Sequence, residues 1–127
     1  MKNGSKDTEL GEMAVSEGPS PDGAYLTYRD AMDADVGDLG VLAVATMTTS
    51  QLATGVVKTS IADNTRLVYL WRDGLLVQAL FASGTKTTLE EDVTMFRLVL
   101  DGIGAATKSR VAFAVGGLAP GIYIAPL

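Results

Sequence analysis

The side chains that most often carry chemistry are either missing from this chain or stand at the wrong spacing. It has no histidine and no cysteine. That removes imidazole bases, imidazole and thiolate metal ligands, disulfides and every Ser-His or Cys-His nucleophile pair. Carboxylates remain, and the densest group is Asp30, Asp33, Asp35 and Asp38. A calcium loop alternates oxygen ligands around a glycine turn and closes with a Glu at its twelfth position. Counted from Asp33, the fifth position is Gly37, the sixth Asp38 and the twelfth Val44. The spacing fits a solvated acidic turn better than a metal site.

Two further patterns fail for similar reasons. Ser83, Gly84, Thr85, Lys86 and Thr87 look like a phosphate loop, but Thr85 separates the glycine from the lysine and Ala79 stands where the earlier glycine belongs. Glu90, Glu91 and Asp92 offer neighbouring acids, yet Thr88 and Glu91 also match a capping box, where acids favour a helix start. Trp71 beside Arg72 is the remaining candidate. A tryptophan at a strand end is most simply a core residue; the alternative is an exposed anchor, because Trp and Arg are enriched at binding hot spots. No cofactor or catalytic residue is expected from these patterns, and the chain reads as a non-enzyme.

The elements that must position these residues read as mostly β. Residues 24–28, 40–45, 56–61, 110–115 and 122–124 are rich in branched or aromatic side chains and bounded by turn residues. Residues 65–71 and 75–81 flank Asp73-Gly74, a pairing that predicts a β-hairpin over 65–81. Thr49 or Ser50 is placed to cap a brief helical turn that Gly55 ends. Leu89, Val93, Phe96, Leu100 and Ile103 recur at alternating spacings of four and three, predicting an amphipathic helix over 89–101. The expected class is therefore α+β, with a mainly antiparallel or mixed sheet and one helix.

Composition bounds the organisation. The chain has 127 residues, enough for one core, and its hydrophobic 47% is mostly Ala, Val and Leu, with aromatics at 6%. Residues 1–23 are polar and lack periodicity, so they read as an extended N-terminal arm before a single domain at 24–127. Residues 1–38 hold nine acids against three bases, a charge of −6, whereas the remaining 89 residues come to +1. An acidic arm suits a basic protein surface and disfavours nucleic acid. No apolar run approaches the ~20 residues that span a bilayer, and no signal-peptide pattern opens the chain. A protein made in the cytoplasm, without a membrane partner, is expected.

Val36, Gly37, Asp38, Leu39 and the run Gly40-Val-Leu-Ala-Val-Ala45, followed by a Thr-rich stretch, resemble a segment of lambdoid phage head-decoration (cement) proteins. The small, Cys-free, Ala/Thr/Gly-rich build with a polar arm is similar too. The resemblance implies a virion protein, often trimeric, that binds the major capsid protein and stabilises the shell. Its arm would supply Leu10, Met13 and Val15 as apolar anchors. Tyr25, Leu26 and Tyr28 would pair with a neighbour's strand, and Trp71 and Arg72 would add contacts. Such β-addition needs little sequence identity, because backbone groups carry it. Residues 24–28 and 122–124 both read as edge strands, so self-association is expected as well. The competing expectation is a small ligand-binding or enzymatic domain, with a pocket between the helix and the sheet.

Overall fold

The computed structural model describes residues 15–33, 36–100, 108–117 and 120–127, and these form ten strands and no helix. β1 (Val15–Pro19), β2 (Tyr25–Asp33), β3 (Val36–Ala43), β4 (Thr48–Ile61), β5 (Arg66–Trp71), β6 (Leu76–Leu80) and β7 (Lys86–Glu90) lie side by side in chain order in one antiparallel sheet. β8 (Val93–Leu100), β9 (Lys108–Val115) and β10 (Gly121–Pro126) make a second, three-stranded sheet. Each strand pairs with its sequence neighbour, so both sheets are meanders. The α+β class is corrected to all-β.

The predicted helix at 89–101 is replaced by the end of β7, a corner at Glu91 and Asp92, and β8. Asp92 adopts a φ of 57°, a left-handed conformation that Asp tolerates better than most residues. Past the corner, the β8–β9 register shifts between Val93 and Met95. This bulge inserts one residue, so the inward positions run Val93, Phe96, Leu98 instead of alternating strictly. A corner spanning Leu89 to Val93, followed by a bulge spanning Val93 to Phe96, reproduces the four-then-three spacing of a helix. The Thr, Val and Phe content of the segment favours the strand.

The helical turn expected near Leu52 is also absent. β4 is one strand of 14 residues, and Gly55, with a φ of 65°, sits in an irregular stretch of it. Its first half pairs with β3 and its second half with β5. The glycine therefore bends a strand rather than ending a helix. That bend helps the sheet curl on itself.

The curled interior buries Leu39, Val41, Leu52, Val56, Leu67, Tyr69, Val77, Ala79 and Phe81. Tyr25 stacks on Phe81 at 5.0 Å between ring centroids. The second core lies between β5–β6 and the three-stranded sheet, and it buries Val68, Leu70, Leu76, Val93, Phe96, Leu98, Val111 and Phe113. The hairpin expected over 65–81 is present, with Arg66 to Leu70 paired to Leu80 to Leu76. It serves both cores, because alternate residues of β5 point to opposite faces.

Part of the predicted arm belongs to the sheet. β1 pairs with β2 from Val15 to Pro19, and Ser20 is buried, its hydroxyl donating to Asp22 and accepting from the Tyr25 amide. The Asp22 amide donates to the Asn64 side chain across 42 positions of sequence, tying the β1–β2 turn to the β4–β5 turn.

Candidate interaction surface

An open sheet edge presents unpaired backbone donors and acceptors, so the four edges among the described strands are the first places to look for contacts. β1 is short, shifts register between Ser16 and Gly18, and ends in Pro19. β7 is also short, and Lys86, Thr87, Thr88 and Glu90 are all exposed polar residues. At β8, Lys58 reaches across from β4; its Nζ donates to the Phe96 carbonyl and lies 4.7 Å from the Phe96 ring centroid. A lysine on the edge blocks further strand addition. These three edges are guarded.

β10 is different. No charged side chain occurs between Gly121 and Leu127, and no described strand pairs with its outer side. Ile122 is 81% exposed and Ile124 65%. Both residues have high β-propensity, so the edge is well formed but uncovered.

The outward face of the same sheet is apolar as well. Register aligns Met95, Ala114 and Ile122 in one row across the strands, and Arg97, Ala112 and Ile124 in the next. Met95 is 62% exposed. The alanines of β9 form the floor of a shallow channel between a Met95/Arg97 ridge and an Ile122/Ile124 ridge. Its deepest part is an apolar hollow of about 150 Å³, bordered by Met95, Arg97, Ala112, Ala114 and Ile122. Exposed Arg97 and Arg110 frame it with positive charge. An apolar floor with basic flanks suits a protein surface with apolar knobs and acidic neighbours.

The residues expected to bind partners are scattered. Leu10 and Met13 lie outside the described residues, and Val15 is placed by its backbone in β1. Tyr25, Leu26 and Tyr28 are on β2, which has β1 on one side and β3 on the other. The expected edge at 24–28 is thus an interior strand. Tyr28 is buried over Gly40, and Tyr25 packs on the curled core. A Cβ at Gly40 would lie 2.5 Å from the Tyr28 ring, so the glycine makes room for that tyrosine.

Trp71 is half-buried and Arg72 exposed, with the guanidinium 6.0 Å from the indole centroid. Both lie against Gly55, where a Cβ would meet Trp71 Nε1 at 3.0 Å and Arg72 Nε at 3.2 Å. Trp71 borders two hollows. One, of about 280 Å³, opens on the curled interior beside Tyr69 and Lys86. The other, of about 470 Å³, lies where the two sheets meet and is edged by Arg72, Asp73, Asp92 and Thr94. Backbone bonds from Val93 to Gly74 and from Gly116 to Asp92 hold its rim. The pocket expected between a helix and the sheet is absent among the described residues, where 89–100 form the end of β7, a corner and β8 and make no helical wall.

Asp30 and Asp38 are cross-strand partners in β2–β3, and Asp35 lies outside the described residues. Among the described residues, no three metal-ligating side chains converge. Sequence reading identified residues 122–124 as an edge but missed Met95, Ala112, Ala114 and Arg97. Assigning 89–101 to a helix hid the β8 half of the surface. The alternation of Arg110, Ala112 and Ala114 against Val111 and Phe113 was the available signal. The sequence matches no protein-family model and no curated protein.

Proposed function

We propose that this chain is a structural assembly protein of a virus particle: a capsid decoration, cement or minor capsid component. In this reading it is made in the host cytoplasm, binds the major capsid protein and stabilises the shell. The observation that supports an assembly role is the outward face of the β8–β10 sheet, an apolar channel framed by arginines that no other described element covers. Soluble domains rarely leave such a face open without a partner for it. The virus-shell setting rests on the resemblance at 36–45. The acidic N-terminal segment, with Leu10 and Met13, supplies a second contact.

The test is co-sedimentation with shells of the virus that encodes the chain. The informative deletion removes residues 1–14 and stops before Val15, because β1 is part of the sheet. That truncation should keep its thermal midpoint and lose most shell binding, and Met95→Glu on the channel ridge should weaken binding further. Undiminished binding by both variants would overturn the proposal.

A second reading, a ligand-binding domain, is favoured by one observation: Arg72, Asp73, Asp92 and Thr94 converge on the larger hollow beside Trp71. Saturable thermal stabilisation by a small polar metabolite, lost in Asp92→Ala, would support it.

A further inference from the structure

The backbone of β10 is phased for a partner strand. The Leu127 amide donates to the Ser109 carbonyl at 2.8 Å, and the β9–β10 pairing runs from Gly121 to Pro126 without a register break. Polar groups of an antiparallel strand alternate sides residue by residue. The N–H and C=O of Tyr123 and Ala125 therefore point to β9, and those of Ile122 and Ile124 point away from the sheet. Pro126 falls on the outward phase, where its missing N–H takes nothing from the β9 ladder and shortens the free edge.

We infer that β10 pairs antiparallel with β10 of a second copy of this chain, about a two-fold axis perpendicular to the sheet that passes midway between the two copies of Tyr123. Such an axis keeps each residue on its own face, so pairs must share parity. With Tyr123 facing the second copy's Tyr123 across the axis, Ile122 stands opposite the second copy's Ile124, and both residues donate and accept across the junction. The strand is self-complementary. It carries no charge to repel its copy, and its outward side chains are β-branched residues that pair well across strands. Arg97 stays two strands away from the junction. The rows on the outer face become continuous, from Met95 and Ala114 through Ile122 to the second copy's Ile124, Ala112 and Arg97. The guarded edges β1, β7 and β8 offer no equivalent site.

Pairing one short strand buries less than the ~800 Å² per partner of a standard interface, so the dimer is weak and concentration-dependent. A two-fold pair is then the closed assembly this edge makes, where the resemblance alone implies a trimer. The inference rests on the assembly reading, and its test uses the isolated full chain, so loss of self-pairing and loss of shell binding are read separately.

Sedimentation across a concentration series should show the mass rising toward twice that of the monomer, and Ile124→Lys should stay monomeric with an unchanged circular dichroism spectrum. The chain has no cysteine, so register can be read directly. An Ile122→Cys and Ile124→Cys mixture should oxidise to a covalent pair faster than either variant alone, and Thr88→Cys on the guarded β7 edge should not cross-link. A wild-type chain that remains monomeric at about 0.2 mM, far above a micromolar dissociation constant, overturns the inference. So does a dimer that survives Ile124→Lys, or cross-linking at residue 88 as fast as in the mixture.

Discussion

The two cores sit on opposite faces of the same hairpin, and they are built differently. The curled core is enclosed by strands of a single sheet and includes polar groups with partners. Buried Thr27 donates to the Gly18 carbonyl, and Arg29 pairs with Glu17 and donates to the Val56 carbonyl. The second core consists of apolar side chains, and one whole side of it comes from only three strands. Three strands need a packed face to be stable. The curled sheet therefore acts as the platform, and the β8–β10 sheet is a layer laid on it, with its other face left to contacts. β5 is the element that neither side can lose, since Leu67 and Tyr69 serve one core while Val68 and Leu70 serve the other.

Removing one large side chain from each core tests this division with the largest expected effects. Phe96→Ala should cost about 3–5 kcal/mol and Leu67→Ala about 2–5 kcal/mol, both being fully buried. Their patterns should differ in hydrogen exchange. Phe96→Ala should expose the β8 and β9 amides while β2–β4 stay protected, and Leu67→Ala should lower protection everywhere. Equal, uniform loss in the two variants would mean that the cores unfold as one unit.

A smaller effect is expected on the curled sheet alone. Gly40→Ala places a methyl against the Tyr28 ring and should cost about 1–3 kcal/mol, seen as a lower urea midpoint with unchanged slope. Protection in β8–β10 should fall only as far as global stability falls.

The smallest effect concerns the turn that joins the two regions. Asp63 accepts from the amide and hydroxyl of Thr65 and from the amide and guanidinium of Arg66. Next to it, Ala62 is buried in the second core, and its carbonyl accepts from Lys108. Burial pushes the Asp63 carboxyl up, but the Thr65 and Arg66 bonds outweigh it and hold the group below the ordinary carboxylate range. A lowered folded pKa gives stability that is present above the unfolded value and fades as pH falls through the folded one. Asp63→Asn should therefore cost about 0.5–1.5 kcal/mol at pH 7, and the gap to wild type should narrow in acid as pH falls below the ordinary aspartate value of about 3.9. Urea titrations at pH 7 and in acid measure it; a gap that persists undiminished in acid would mean the carboxylate's charge is not what holds the turn.

The hairpin at 65–81 was legible because its signal is local: Asp73 and Gly74 between two β-rich runs. Segment 89–101 was misread because its apolar spacing arises from a corner and a bulge, two interruptions of a period of two that together imitate 3.6. Gly55 looked like a helix stop for the same kind of reason, since a glycine at positive φ can end a helix or bend a strand. The edge at 24–28 disappeared once β1, drawn from a polar segment with no hydrophobic pattern, paired alongside it.

By itself the sequence determined the residue chemistry that follows from having no histidine or cysteine, the β5–β6 hairpin, and the strand character of residues 110–115 and 122–124. Those properties depend on residue type or on neighbours within a turn. Only the tertiary structure decided that β2 is interior, that Lys58 caps β8, and that Met95, Ala114 and Ile122 share one row. Each of these depends on which strands come to lie alongside or against one another, and a strand's own residues do not specify which neighbour will take its outward hydrogen bonds.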